Sequence, residues 1–425
     1  MKPEIKQRIE QIKVGQVPEG YKRTKIGVVP KEWEEVRFKK MFSRLSRKNC
    51  ENNDNVLTIS AQYGLISQSE FFNKNIASED KSNYFLLHKG EYAYNKSYSN
   101  GYPYGALKKL ERYEKGIVSP LYICFSPTSD NKCAEYYSHY FESNLIGKEI
   151  KAIAQEGARN HGLLNISVND FFNMYILNPP LAEQEKIAKI LSVQDRIIEL
   201  YQRKIEELQK MKKVYLSKMF PKKGEDVPEW RFSQFNDSWE RRKLGEVSES
   251  YSGGTPSVGV KEYYGGQIPF IRSAEINSEI TELFLTEEGL KNSSARLVAV
   301  GDILYALYGA TSGEVGRARL KGAINQAILA IKPHTDYDSE YLAQWLRKSK
   351  HSIIETYLQG GQGNLSGTIV KELSVDFPSL KEQKAIGDFF RQLDNLITLH
   401  QRKLEETKKY KKALMQLLLT GIVRV

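Results

Sequence analysis

Apolar residues recur at alternating spacings of four and three in two long segments of the chain. The first segment runs from Ile187 to Met219, and the second from Ile386 to Leu418. This spacing is typical of the seam of a coiled coil. At 1.5 Å per residue the first segment predicts a rod of roughly 50 Å. Two such helices can pack on each other, antiparallel if an approximate twofold axis relates the two halves of the chain.

The seam has one polar position that recurs in both segments. Lys212 and Lys411 occupy the same heptad place. A seam lysine costs stability but can fix helix register and pairing, whereas a lysine near the end of a seam can also extend its ammonium to water. The sequence leaves both readings open. The apolar positions predicted to pair the helices are Ile187, Leu191, Ile198, Tyr201, Ile205, Leu208, Ile386, Phe390, Ile397, Leu404 and Leu414.

The two segments belong to an internal repeat. A shift of 199 residues places Asn165 on Asn364, Glu183-Gln184 on Glu382-Gln383, and Gln202-Arg203-Lys204 on Gln401-Arg402-Lys403. A weaker match at a shift of 206 places Trp33 on Trp239. The chain is therefore two tandem copies of one plan, each a variable region of about 140 residues followed by a strongly matched segment of about 40.

Each variable region combines short β-like runs, such as Ile117 to Phe125, with helical stretches, such as Ser339 to Tyr357. This mixture predicts an α+β fold: two globular domains in tandem, separated by two long helices that form an antiparallel coiled coil. The predicted boundaries are 1–29 for an N-terminal helix and lead-in, 30–178 for the first domain, 179–220 for the first helix, 221–229 for a linker, 230–377 for the second domain, and 378–425 for the second helix and tail.

The charge of the chain is basic but unevenly placed. Its 425 residues include 63 Lys and Arg against 52 Asp and Glu, for a net charge of +11. Segments 181–220 and 380–419 each hold nine Lys and Arg, against six and five acidic residues, so about seven of the +11 lies in the helices. A basic surplus alone is compatible with nucleic-acid binding or with mere solubility. No apolar run or start resembles a membrane span or a signal peptide, so we expect a cytoplasmic protein.

Sequence motifs for catalysis or metal binding are weak. Asn178-Pro179-Pro180-Leu181 resembles the Asn-Pro-Pro-aromatic motif of amino-methyltransferases, but its fourth residue is Leu and the second copy begins with Phe377, which favours a helix start. No phosphate-binding loop is present, and Glu149-Ile150-Lys151 is only a fragment of a nuclease motif. Three cysteines and six histidines lack metal-ligand spacing. We therefore expect no catalytic residue, no metal and no cofactor in this chain.

Polar loops in both copies have chemistry suited to DNA. One follows Asn95 and has its counterpart between Ala306 and Arg319; the other precedes the matched Asn165 and Asn364. Arg can pair with guanine, Asn or Gln with adenine, and Lys with phosphates. A polar turn without any partner is the alternative. The candidate DNA-binding residues are Lys96, Ser97, Tyr98, Asn100, Tyr102, Tyr104, Arg159, Asn160, His161, Arg272, Ser273, Tyr308, Thr311, Ser312, Arg317, Gln362 and Asn364.

In this order and duplication the motifs resemble the specificity subunit of type I restriction–modification systems. The resemblance covers nearly the whole chain and includes the stretches Gly20 to Pro30, Ser252 to Ser257, Tyr264 to Ile271 and Leu414 to Arg424. One departure is that Leu45 to Glu51 in the first half lacks the Gly-Gly-Thr-Pro-Ser stretch of the second, so the two domains should read different half-sites.

The resemblance implies a non-enzymatic reader of double-stranded DNA, with one recognition domain for each half of a split target. It implies that the helices set the spacing and, through the seam residues given above, dock two methyltransferase subunits that carry S-adenosylmethionine and methylate adenine. Motor-nuclease subunits would join that complex. Two other classes remain open: a stand-alone DNA methyltransferase, and a coiled-coil scaffold without DNA specificity.

Overall fold

The computed structural model describes residues 3–60, 64–72, 81–97, 103–154, 164–222, 224–358 and 364–425. The chain forms two compact units. The first unit contains Met1–Leu200 and Lys403–Val425, and the second contains Tyr201–Arg402. Each long helix therefore contributes one part to each unit.

The elements up to the first long helix combine short helices with short strands. The helices are α1 (Pro3–Lys13), α2 (Phe38–Met41), α3 (Gln68–Phe72), α4 (Ala134–Glu142), α5 (Gly147–Ile153), α6 (Val168–Asn173) and the long α7 (Leu181–Lys218). The strands are β1 (Tyr21–Arg23), β2 (Val28–Pro30), β3 (Glu34–Arg37), β4 (Phe42–Leu45), β5 (Leu57–Ser60), β6 (Gly64–Ser67), β7 (Phe85–His88), β8 (Tyr92–Asn95), β9 (Ala106–Lys109), β10 (Lys115–Val118), β11 (Ile123–Pro127) and β12 (Tyr175–Asn178).

The remaining elements follow the same plan. The helices are α8 (Leu244–Val247), α9 (Glu287–Lys291), α10 (Ser339–Tyr357), α11 (Gly367–Lys371) and the long α12 (Leu380–Leu418), with single 3₁₀ turns at Lys261–Tyr263 and Ser273–Glu275. The strands are β13 (Glu240–Lys243), β14 (Ser248–Ser252), β15 (Tyr264–Ile271), β16 (Phe284–Leu285), β17 (Arg296–Val298), β18 (Ile303–Ala306), β19 (Val315–Arg317), β20 (Gly322–Ile324), β21 (Ile328–Pro333) and β22 (Ser374–Phe377).

The two units share a central sheet and differ around it. The antiparallel order β4-β11-β8-β9 in the first unit recurs as β14-β21-β18-β19 in the second, and the pair β3-β12 recurs as β13-β22. Outside this shared part the first unit has the two-stranded sheets β7-β10 and β5-β6, whereas the second has a four-stranded sheet, β16-β15-β20-β17. The repeat thus preserves the scaffold, and the added strands make the two domains different.

The cores of the units include residues of the long helices. In the first unit, Ile187 and Leu191 of α7 and Met415 and Leu418 of α12 lie in one core with the aromatic residues of the first globular domain. In the second unit, Ile386 and Phe390 of α12 lie in one core with Met219 and Phe220 of α7. The start of each helix therefore packs with the end of the other, which confirms the antiparallel pairing.

The seam positions have two roles. Leu208 contacts Leu393 and Ile397 in a small cluster between the helices, whereas the seam positions nearer the helix ends extend the domain cores. Ile205 and Leu404 are also buried. Among the described residues, no helix is long and apolar enough to span a membrane.

One predicted strand is divided in the structure. The apolar run Ile117 to Phe125 predicts a single strand, but β10 ends at Val118 and β11 begins at Ile123. A turn in which Tyr122 N donates to Ser119 O separates them, and Pro120 has no N–H to give to a ladder. The two strands then join different sheets, because β10 pairs with β7 and β11 pairs with β4 and β8.

Candidate DNA interface

The two predicted loop regions of the first unit meet beside the end of β8. Leu164 N donates a hydrogen bond to Lys96 O at 3.1 Å, and Ser97 N donates to the side chain of Asn95 at 3.0 Å. The turn that leads into β9 requires a glycine at position 105. Gly105 has a φ of +77°, and a Cβ atom there would lie 2.3 Å from Asn95 O. The described ends of the two regions, at Lys96 and Leu164, are therefore held side by side.

The second unit repeats this arrangement beside the end of β18. Tyr308 and Asn364 form an isolated antiparallel bridge, and Leu365 N donates to Leu307 O at 2.9 Å. Asn364 is exposed, and Tyr308 packs against the core. In both units, described residues that lie more than 50 positions apart in sequence and flank the two predicted loop regions thus pair with each other.

The candidate residues differ in how they are placed. Tyr98, Asn100, Tyr102, Arg159, Asn160, His161 and Gln362 lie outside the described residues. Lys96 and Asn364 lie at the loop junctions, the places where Lys96 pairs with Leu164 and Tyr308 pairs with Asn364. The backbone carbonyl of Tyr104 accepts a hydrogen bond from Tyr94 Oη at 2.7 Å. The buried Ser312 donates its hydroxyl to Leu307 O at 3.1 Å. Thr311 and Ser273 are partly exposed.

The two candidate arginines of the second unit are bound to carboxylates within the protein. Arg272 contacts Glu275 at 2.9 Å and Glu282 at 2.6 Å. Desolvation of Glu275 opposes its ionisation, but the hydrogen bonds from Arg272 outweigh it and lower the pKa of Glu275 to about 2. Arg317 donates to Ser339 Oγ at 2.9 Å and lies 3.5 Å from Glu340. Both guanidinium groups therefore support the local structure of the second domain.

Each recognition domain has a net charge close to zero. Residues 30–178 contain 19 Lys and Arg against 17 Asp and Glu, and residues 230–377 contain 16 against 18. Discrimination between DNA sequences must come from particular groups at base edges and from DNA shape, because the attraction of protein charge to phosphates does not depend on sequence.

Asn178 has a structural role. Its side-chain oxygen accepts hydrogen bonds from Tyr137 Oη and from Gln184 Nε2, each at 2.9 Å. In the second unit the corresponding residues, Leu342 and Phe377, lie in one apolar core. An asparagine whose oxygen is occupied in this way supports the helix start and not the methyltransferase reading of Asn178-Pro179-Pro180-Leu181.

The repeated Glu-Gln pair at the start of each long helix binds neighbouring segments, a role that the sequence reading missed. Gln184 and Gln383 each donate through Nε2 to the proline carbonyl five residues earlier, at 2.8 Å. Glu183 accepts from Trp33 Nε1 at 2.9 Å and from Arg424 at 2.6 Å. The available signal was their identity in both copies of the repeat.

One group of side chains has ligand atoms close enough together to hold a metal ion. Among the described residues, these atoms belong to His139, Glu142 and Asp195 and lie within 4.8 Å of one another. The ammonium of Lys411 contacts Asp195 at 2.5 Å and Glu142 at 2.7 Å. The lysine ammonium therefore pairs with both carboxylates, and this group is an ion-pair cluster.

Two domains of one plan, each with converging polar loops and joined through an antiparallel helix pair, define a bipartite binding protein. The family model of the type I restriction modification DNA specificity domain matches residues 30–210 and 236–409. The chain belongs to this family. It is a DNA-recognition subunit of a type I restriction–modification system, without a catalytic role of its own.

Relatives of known type are similar over nearly the whole chain. The putative type I restriction enzyme MjaX specificity subunit of Methanocaldococcus jannaschii is 27% identical, over 96% of this chain and 97% of its own length. The crystal structure of the type I restriction–modification S subunit from M. genitalium matches with a TM-score of 0.60 and 16% identity, over 91% of this chain and 96% of that one. A chain from a study of type I R-M complex assembly matches with a TM-score of 0.55 and 17% identity, over 93% and 99%.

Proposed function

We propose that each unit reads one half of a split DNA target through its two converging loop regions. The observation that supports this proposal is the same junction in both units, Lys96 with Leu164 and Tyr308 with Asn364. Loops held side by side can present several polar groups to one groove of DNA, and the differing strands around them give the two units different surfaces.

Substitutions at the two junctions test this proposal. Asn364→Ala should relax one base position in the half-site of the second unit by roughly 10- to 100-fold, because a lost bidentate base contact costs about 1–3 kcal/mol. Lys96→Ala should weaken binding to all sequences and reduce the salt dependence by about one counterion.

Both effects are measured by selection from random duplexes with the partner subunits present. The exposed Asn292 and Lys89 supply controls, N292A and K89A. Unchanged selection by both test variants would exclude these junctions from the interface.

We propose further that the long helices bind two copies of a methyltransferase subunit. Exposed apolar side chains recur at repeat-related places on the helices: Leu200 is 48% exposed and Leu399 44%, while Met211 is 41% and Tyr410 58% exposed. Each unit therefore has an exposed leucine from one helix and a second large apolar side chain from the other. A surface that occurs twice suits two copies of one partner.

Leu200→Glu and Leu399→Glu should each reduce the number of bound methyltransferase subunits from two to one. Native mass spectrometry of the assembled complex measures this ratio. The matched control is Val258→Glu, because Val258 is an 80% exposed apolar residue of the second recognition domain and is not part of either long helix. If both leucine variants retained two subunits, the partner would bind elsewhere.

We propose that S-adenosylmethionine binds this partner and not the present chain. Calorimetric titration of the chain alone should show no binding, and titration of the assembled complex should show it. Binding by the chain alone would favour the alternative of a stand-alone methyltransferase. We also propose that motor-nuclease subunits join the complex and that it acts in the cytoplasm, where chromosomal DNA is accessible to it.

A further inference from the structure

A buried lysine joins three elements of the first unit. Lys411 of α12 is 5% exposed, and its ammonium contacts Asp195 of α7 at 2.5 Å and Glu142 of α4 at 2.7 Å. His139 of α4 lies 3.6 Å from Asp195 and within hydrogen-bond distance of Ser192 on α7, at 3.1 Å. We refer to Asp195, Glu142, His139 and Lys411 as the Asp195 cluster.

The second unit contains the repeat-related pair. Lys212 of α7 contacts Asp394 of α12 at 2.6 Å. Gln344 of α10 donates to the other oxygen of Asp394 at 3.0 Å, and Arg347 of α10 lies 3.7 Å from it. We refer to Asp394, Gln344, Arg347 and Lys212 as the Asp394 cluster. In both clusters the lysine and the aspartate come from the two long helices, and the remaining groups come from a helix of the recognition domain.

The recognition-domain partners differ in charge between the two clusters. Glu142 lies six residues after the buried Tyr136, and Arg347 lies six residues after the buried Tyr341. The same place on α4 and α10 therefore carries a carboxylate in one unit and a guanidinium in the other. Lys411 binds two carboxylates, whereas Lys212 binds one, and its side chain is 18% exposed. The charge that each recognition domain presents is thus matched to the part of the helix pair that it contacts.

A shift of one long helix along the other would separate each lysine from its aspartate. One residue of a helix corresponds to about 1.5 Å and one heptad to about 10 Å, which is enough to break an ammonium–carboxylate contact. Lys411 is 5% exposed and the Lys212 side chain 18%, so a shift would leave a buried or mostly buried ammonium without its partner, which is unfavourable. An apolar seam would tolerate a shift more readily. The clusters therefore penalise wrong registers more than the neighbouring leucines and isoleucines do.

We propose that Lys212 and Lys411 are positioning residues that fix the register of the long helices and the orientation of each recognition domain on them. Under the proposed function, on which this inference rests, they determine the number of base pairs between the two half-sites. Asp195 and Asp394 are their partners on the opposite helix.

The test uses the Asp394 cluster in the assembled complex. Lys212→Met leaves Asp394 without its lysine, while the double variant K212M/D394M removes both charges and restores an apolar seam. The complex is expressed with its methyltransferase subunit in a host that lacks other adenine methylation, and sequencing of methylated adenines gives the half-sites and the gap. The control is Lys213→Met, because Lys213 is the adjacent exposed lysine on α7.

The double variant is expected to melt near the wild-type temperature but to methylate also targets whose gap differs by about three base pairs, the length of one heptad. Its preference for the native gap should fall about tenfold, equivalent to about 1.4 kcal/mol of register discrimination. K213M should keep the native gap. If K212M/D394M is stable and keeps the native preference, the pair is merely structural and the proposal is overturned. If even the wild-type complex yields no bipartite motif, the proposed function itself fails.

Discussion

The guanidinium of Arg231 binds both oxygens of a carboxylate that has no exposed surface. Arg231 Nε and Nη2 donate to Glu382 at 2.7 and 2.6 Å, and the Glu382 side chain is 0% exposed. Glu183 and Arg424 form the equivalent pair in the first unit. Removal of one member of such a pair leaves an unpaired buried charge, which is far more costly than removal of both.

Arg231→Met should therefore destabilise the second unit by about 3 kcal/mol. For a unit of this size that lowers the melting temperature by about 6–12 °C, measurable by differential scanning calorimetry. R231M/E382L should recover most of the loss. Arg242→Met is the control, because Arg242 pairs with Glu240 where both side chains are about half or more exposed. Equal effects of R231M and R242M would contradict the role assigned to burial.

Glu142 gives the first unit a pH dependence. Its desolvation raises the pKa, but His139 and the charge of Lys411 outweigh that effect and lower it from 4.5 to about 2. A lowered folded-state pKa stabilises the fold above the unfolded value, and this stabilisation is lost as pH falls from about 4.5 to about 2. Glu142→Gln should thus be less stable than wild type at pH 7, with the difference in melting temperature shrinking below pH 4.5.

The control for this variant is Glu114→Gln, because Glu114 is 81% exposed and pairs with Lys89 on the surface. Its melting temperature should follow wild type over the same pH range. A deficit of E142Q that stayed constant from pH 7 to pH 3 would show that the lost contact is not electrostatic.

Single residues show the limit of sequence reasoning. The heptad pattern located Lys212 and Lys411 but left pairing and exposure to solvent equally open, because the pattern contains no information on which side chain faces the lysine. The structure gives the aspartates as partners. Glu183 and Glu382 were passed over since a Glu on a helix is usually exposed, and only the fold reveals their burial.

At the scale of elements, regular periodicity was readily predicted. The α10 helix matches the expected Ser339–Tyr357, and α7 and α12 contain the predicted seams. Ser167 and Ser366, which the repeat aligns, both cap short helices by accepting a backbone N–H. The strands β10 and β11 were merged in the prediction because an apolar run does not tell which sheet each part will join.

A heptad insertion tests whether the helices act as a ruler. Seven residues added to α7 between Asp195 and Lys212, and seven more to α12 between Asp394 and Lys411, keep each lysine paired with its aspartate. Each helix grows by about 10.5 Å. At 3.4 Å per base pair the gap in the methylated motif should lengthen by about three base pairs, as measured by methylation sequencing.

The control is the same insertion in α7 alone. It lengthens one helix, so the two clusters can no longer form together, and methylation should be lost or should lack a defined gap. An unchanged gap after the matched double insertion would contradict the ruler role, whatever the stability of the protein.

At the scale of the whole molecule, charge and architecture carry different information. The net charge of +11 is compatible with nucleic-acid binding or with mere solubility, and the recognition domains are close to neutral because most of the surplus lies on the helices. The duplicated sheet order and the family match instead account for two readers in one chain. The particular base contacts did not follow from the sequence, because they depend on loop geometry and on the deformation of DNA.

Modularity predicts that one domain can be exchanged without altering what the other reads. Replacement of residues 30–177 by the corresponding domain of another family member should change only one half of the methylated motif.

The transplant must keep the groups that bind the helices, because Trp33 donates to Glu183 and Glu142 contacts Lys411. A donor domain with Trp and Glu at these places should fold, whereas a donor with an uncharged residue in place of Glu142 should leave the buried Lys411 with one carboxylate instead of two and assemble less well. Restoring Glu at that one position should rescue assembly without changing the new half-site. If both halves of the motif changed after the exchange, the two units would not read DNA independently.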